Sequence, residues 1–118
     1  MKADIEVLVV STPEEMTRAG ESTYVVLERS VELSVAPFIG LRVGLRSNLE
    51  RGDRRVGQYE GLMRNVSDNT AIFEIEAVTD FPGSRVVIRA KEKYEPTAEK
   101  FRGYIEFLTT FYGFQRST

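Results

Sequence analysis

The sequence predicts an α+β fold: a five-stranded antiparallel β-meander, with an N-terminal strand added at one edge, packed on one face by a C-terminal amphipathic helix. Three observations carry this reading. Apolar and polar residues alternate with period 2 from Thr23 to about Lys91, turn-forming clusters interrupt that alternation, and the period changes to that of a helix after Glu95-Pro96. The alternative is a small curved β-barrel closed around the helix, since Gly40, Gly44, Gly57 and Gly61 fall in two successive predicted strands and glycine eases strand bending. At 118 residues the chain fits a single domain spanning 1–118, and no repeat or linker-like tract divides it.

Ile5 to Val10 is a short apolar run that suits a buried strand. Ser11-Thr12-Pro13-Glu14-Glu15 follows with the marks of a helix start: a hydroxyl cap, proline at the first position and acids in the first turn. Gly20 ends that helix after about two turns.

Val31, Leu33 and Val35 then alternate with Ser30, Glu32 and Ser34. Beyond Ala36-Pro37, Ile39, Leu41, Val43 and Leu45 alternate with Gly40, Arg42, Gly44 and Arg46. Further strands are expected near 57–66, 70–79 and 85–91, joined by Ser67-Asp68-Asn69 and Phe81-Pro82-Gly83-Ser84. Closing each hairpin symmetrically about its loop sets Val35 against Ile39, Leu33 against Leu41, Val43 against Tyr59, Met63 against Phe73, Ile75 against Ala90 and Ala77 against Ile88. All fall on one face, and a slip of one residue in any pair would turn apolar side chains outward. In the last segment Phe101, Tyr104, Ile105, Phe107, Leu108, Phe111 and Tyr112 share an arc of about 160° on a helix. The apolar face of the meander is its natural docking surface, and an arc wider than a surface helix needs leaves an aromatic edge over.

Composition excludes several chemistries. The chain has no cysteine and no histidine, which removes disulfides, thiolate metal sites, cysteine nucleophiles and every Ser-His or Cys-His arrangement. No catalytic residue, cofactor or metal site is therefore assigned. A net charge of -2 argues against general nucleic-acid binding, and no apolar run is long enough to cross a bilayer, so no membrane partner is expected. A cysteine-free chain with no apolar leader is expected in the cytoplasm.

Four groups of residues are candidates for function. The outer face of the meander carries Glu32, Arg42, Glu60, Glu76 and Arg89, with Glu74 beside Lys91 and Asp80 beside Arg85. Paired acids such as Glu60 and Glu76 can raise one pKa and make a general acid, but a solvated ladder of ion pairs is the simpler role. Arg46, Arg51, Arg54 and Arg55, near Arg42 and Arg64, are candidates for anion binding at a hairpin tip. Tyr59, Met63 and Tyr104 are candidates for lining a ligand pocket in the curved sheet. Phe107, Phe111 and Phe114, at the margin of the aromatic arc, are candidates for an interface. The expected function is that of a non-catalytic interaction protein that self-associates as a homodimer or binds a protein partner. Alternatives are a small-ligand binder or acid–base enzyme with its site in the curved sheet and, more weakly, an anion or nucleic-acid binder working through the arginine loop.

Overall fold

The computed structural model describes residues 1–12, 14, 24–48, 70–83 and 85–117. Among these, the chain forms strands β1 (Lys2–Val10), β2 (Tyr24–Glu32), β3 (Arg42–Arg46), β4 (Thr70–Asp80), β5 (Val86–Ala90) and β6 (Lys93–Tyr94), then helix α1 (Ala98–Phe111) and strand β7 (Gln115–Arg116). The strand order is β3-β4-β5-β1-β2-β7, with β6 also pairing with β1. The fold is sheet-dominated α+β with mostly antiparallel pairing, and the sheet curls into a half-barrel against α1. It thus lies between the open sheet and the closed barrel that the sequence leaves as alternatives.

The connectivity departs from the expected meander in three places. First, β1 is central rather than at an edge: it runs antiparallel to β2 and parallel to β5 and β6. Ala3, Ile5, Val7 and Val9 are buried, and Leu8 and Val10 on the opposite face are half-buried, so this strand sheds the most water in the middle of the sheet. Second, β2 pairs with β1 over the full length of both strands, from Lys2↔Glu32 to Val10↔Tyr24, so Leu33 and Val35 do not form a hairpin with Leu41 and Ile39. A long ladder that buries Val25, Leu27 and Val31 outweighs a short hairpin turning at Ala36-Pro37. Third, β3 pairs directly with β4, with Val43 opposite Phe73, where the expected meander set Met63 against Phe73. The strand expected at 57–66 and the helix expected after Pro13 lie outside the described residues.

Between β4 and β5 the expected Ile75↔Ala90 pair is present, but the register then shifts, so that Ala77 meets Arg89 and Val78 meets Ile88. The extra residue is Glu76. A bulge of this kind sharpens the local twist and bend, in keeping with a curling sheet.

Helix α1 begins at Thr97, whose side chain accepts a 3.2 Å hydrogen bond from the Lys100 N–H. Its buried residues, Phe101, Tyr104, Ile105, Phe107, Leu108 and Phe111 among them, match the expected aromatic arc and join one core with the inward residues of the strands. At its end Gly113 takes φ +71°, a conformation that side-chain-bearing residues rarely adopt, and the Phe114 N–H turns back to the Leu108 carbonyl at 3.2 Å. Phe114 then packs on Phe73 of β4, with ring centroids 5.6 Å apart, while β7 pairs with β2. Just past β3, the Asn48 N–H bonds to the Phe111 carbonyl at 2.8 Å. The end of α1 therefore ties the β3 side of the curl to the β2 side.

No basic residue stands in the last turn of α1; the cation there comes from the sheet. Arg29 of β2, half-buried, donates from Nη1 to the Tyr112 carbonyl at 2.7 Å. A guanidinium at a helix C-terminus meets both the unsatisfied carbonyl and the negative end of the helix dipole. Arg29→Met should therefore lower unfolding stability by about 1.5–3 kcal/mol, as for a hydrogen bond to a charged group, measured by urea denaturation.

Candidate functional site

The three aromatic residues expected at an interface are core residues. Phe107, Phe111 and Phe114 are only 1%, 3% and 2% exposed. Phe107 makes edge contacts with the rings of Phe111 and Tyr112, at centroid distances of 6.0 and 5.0 Å. The curl of the sheet gives α1 a wider surface than one flat face, so the whole aromatic arc is covered within the chain. Of the anion-binding candidates, Arg46 is exposed on β3, while Arg51, Arg54 and Arg55 lie outside the described residues. So do Tyr59 and Met63; Tyr104, the third pocket candidate, lies on the buried face of α1.

On the outer face the expected ladder of ions is partly re-paired by the central position of β1. Arg85 and Arg89 reach Asp4 and Glu6 of β1 at 3.1 and 3.5 Å. Lys91 and Glu74 meet at 2.8 Å as expected, with Arg42 opposite Glu74 on β3. Glu76 is exposed at the bulge, and Glu60 lies outside the described residues.

Two features stand out from this background. The first is the connection between β2 and β3. Leu33 and Leu41 pack against the core at its two ends, while Val35, Phe38 and Ile39 between them are 51%, 55% and 71% exposed. The segment is held by backbone bonds: Leu33 N–H to Met1 O at 2.7 Å, Gly40 N–H to Ile75 O at 2.7 Å, and Leu41 N–H to Phe38 O at 3.1 Å. Gly40 at φ +95° makes the last turn possible. Three large apolar side chains are thereby presented on a tethered backbone. The symmetric-hairpin register turns Val35 and Ile39 inward, an expectation that fails once β2 is committed to β1.

The second feature is polar and faces inward. Along β1 every second residue, from Ala3 to Val9, is buried, and Ser11 continues that set. β6 runs parallel beside it, with Val9↔Lys93 and Val10↔Tyr94 paired and the Glu95 N–H bonded to the Val10 carbonyl at 2.9 Å. The same register brings Glu95 beside Ser11. Glu95 is 5% exposed and Ser11 7%, and among the described residues the Ser11 hydroxyl has no hydrogen-bond partner. Lys93 places its ammonium 3.6 Å from the Glu95 carboxylate and 5.4 Å from the centre of the Tyr104 ring. Burial, then the nearby Glu95 charge, pushes the Tyr104 phenol well above its usual range, so it stays protonated. The sequence held one signal for this cluster, the period-2 continuation from Val9 to Ser11, but the helix-start pattern at Ser11-Thr12-Pro13 masked it.

Among the described residues, no group of three or more acids stands close enough together to hold a metal ion, and no helix is long and apolar enough to cross a membrane. No family model, curated protein or solved structure matches this chain.

Two surface carboxylates carry a direct test of the ion pairs. A hydrogen bond and charge from the N-terminal ammonium hold Glu32 below its ordinary 4.5, and Lys91 does the same for Glu74. A depressed folded-state pKa stabilises the fold above the ordinary value, and the gain is lost as pH falls through the lowered one. In a ¹³C NMR titration both groups should titrate below 4.5, and Lys91→Met should return Glu74 upward while leaving Glu32 unmoved.

Proposed function

We propose that this protein is a non-catalytic, cytoplasmic interaction protein that self-associates through the Val35–Ile39 segment. The observation that carries the reading is the exposure of Val35, Phe38 and Ile39 within five residues on a backbone pinned at both ends. A pinned apolar surface loses little conformational entropy on docking, and what it gains comes from shedding water. A second copy suits it because a two-fold contact sets the same patch against itself, apolar on apolar, without a complementary partner surface. The cytoplasmic assignment draws on the absence of cysteine.

A small-ligand binder is the second reading, and the inward Ser11–Glu95 cluster is the observation that favours it over acid–base catalysis on the outer face.

Light scattering over a concentration series tests the first reading. The wild-type protein should rise from 13.4 kDa toward twice that mass, and Ile39→Glu should hold it at the monomer with an unchanged far-ultraviolet circular dichroism spectrum. A wild-type chain that stays monomeric to high micromolar concentration contradicts self-association. A variant that dimerises like the wild type removes this segment from the contact.

A further inference from the structure

We infer that the inward cluster of Ser11, Lys93, Glu95 and Tyr104 is a binding site for a small organic cation with N–H donors, of the primary ammonium class. The site is separate from the Val35–Ile39 surface, and the inference does not depend on self-association.

The argument starts from an anomaly in the interior. The core cluster of the half-barrel consists of apolar and aromatic side chains, and the inward positions of β1 from Ala3 to Val9 belong to it. At Ser11 and Glu95 that surface turns polar without ceasing to be buried. A buried carboxylate needs both a counter-charge and hydrogen bonds to its oxygens. The counter-charge of Glu95 is the Lys93 ammonium, at 3.6 Å, beyond the usual length of an N–H···O bond. The Lys93 side chain is 40% exposed against 7% for that of Glu95, so the ammonium stands on the solvent side of the carboxylate. Among the described residues the buried Ser11 hydroxyl is without a hydrogen-bond partner.

These groups share one preference. A carboxylate and a hydroxyl accept N–H bonds, and an aromatic face attracts a cation, as the 5.4 Å approach of Lys93 to the Tyr104 ring already displays. Glu95 repels anions. A ligand ammonium can take over the role of the Lys93 ammonium and add the hydrogen bonds that it does not make at 3.6 Å. Lys93, on a flexible stem at the solvent side, is free to swing out and yield its place. Lys93 is thus an internal competitor of the ligand.

The probe is n-butylammonium chloride, added to the ¹⁵N-labelled full chain and followed by NMR, with sodium acetate at the same ionic strength as the control. Saturable shifts are expected at the amides of Val10, Ser11, Lys93, Glu95 and Tyr104, with none from acetate. Lys93→Met keeps a stem against Tyr104 but removes the competing charge, so it should tighten binding by about tenfold; Glu95→Gln should weaken it by about tenfold or more, the scale of a lost charge-assisted hydrogen bond. The wild-type and Lys93→Met arms decide the matter even where Glu95→Gln fails to fold. Butylammonium that gives no saturable shift in either protein overturns the inference and leaves a cluster that is merely hydrated. Acetate shifting the same amides equally, or Lys93→Met binding more weakly than wild type, overturns it too.

Discussion

The contact on which the rest of the structure depends is the aromatic face of α1 against the concave side of the sheet. A sheet of this size has one large apolar surface to hide, and α1 is the described helix that covers it. Phe101, Phe107, Leu108 and Tyr112 are among the most deeply buried side chains, in company with Ile5, Leu27, Ile75 and Ile88 from four different strands. Full burial of side chains of this size contributes roughly 1.5–3 kcal/mol each, so this one contact is comparable with the whole stability of a domain. Curling lets the sheet follow the helix around a wide arc, and the bulge at Glu76 serves that curl.

The helix also decides how the sheet ends. Its C-terminal turn receives Arg29 from β2 on one side and Asn48 from beyond β3 on the other, and Gly113 then redirects the chain so that Phe114 enters the core. A half-barrel has two open edges, and unpaired edges invite association. Here the segment after α1 pairs with one edge as β7, while its neighbouring residues bond to the chain just beyond the other. Among the described residues, Val35, Phe38 and Ile39 on the connection between β2 and β3 are exposed, while Ser11 and Glu95, where β1 and β6 end, are buried.

Facing was far more legible in the sequence than neighbourhood. The period-2 and helical patterns identify the inward positions of β3 to β5 and the buried arc of α1, because burial depends on local alternation. Strand order depends on competition between distant segments. Symmetric closure about each loop takes sequence neighbours to pair, which holds for β4 with β5 at Ile75 and Ala90 and for β1 with β2, but not for β2 with β3. The parallel contact of β1 with β5 joins residues more than eighty positions apart, and no local pattern announces it. The same gap hid the exposed apolar segment and the buried polar cluster. Val35 and Ile39 look inward only if β2 pairs with β3, and Glu95 looks like part of a helix start until β6 sets it beside Ser11. Phe107, Phe111 and Phe114 seemed surplus to a flat sheet and are not surplus to a curled one.

If α1 and the curled sheet are one cooperative unit, neither can open without the other. Native-state hydrogen exchange measures this most directly, residue by residue. The amides of Ile5, Val7 and Val9 in β1, Ile88 in β5, and Ile105 and Leu108 in α1 should exchange only through global unfolding. They should share one free energy that matches the value from urea denaturation, with the same dependence on urea. Amides of α1 exchanging through a smaller opening, with β1 and β5 still protected, would contradict the account: the sheet would then hold its shape without the helix.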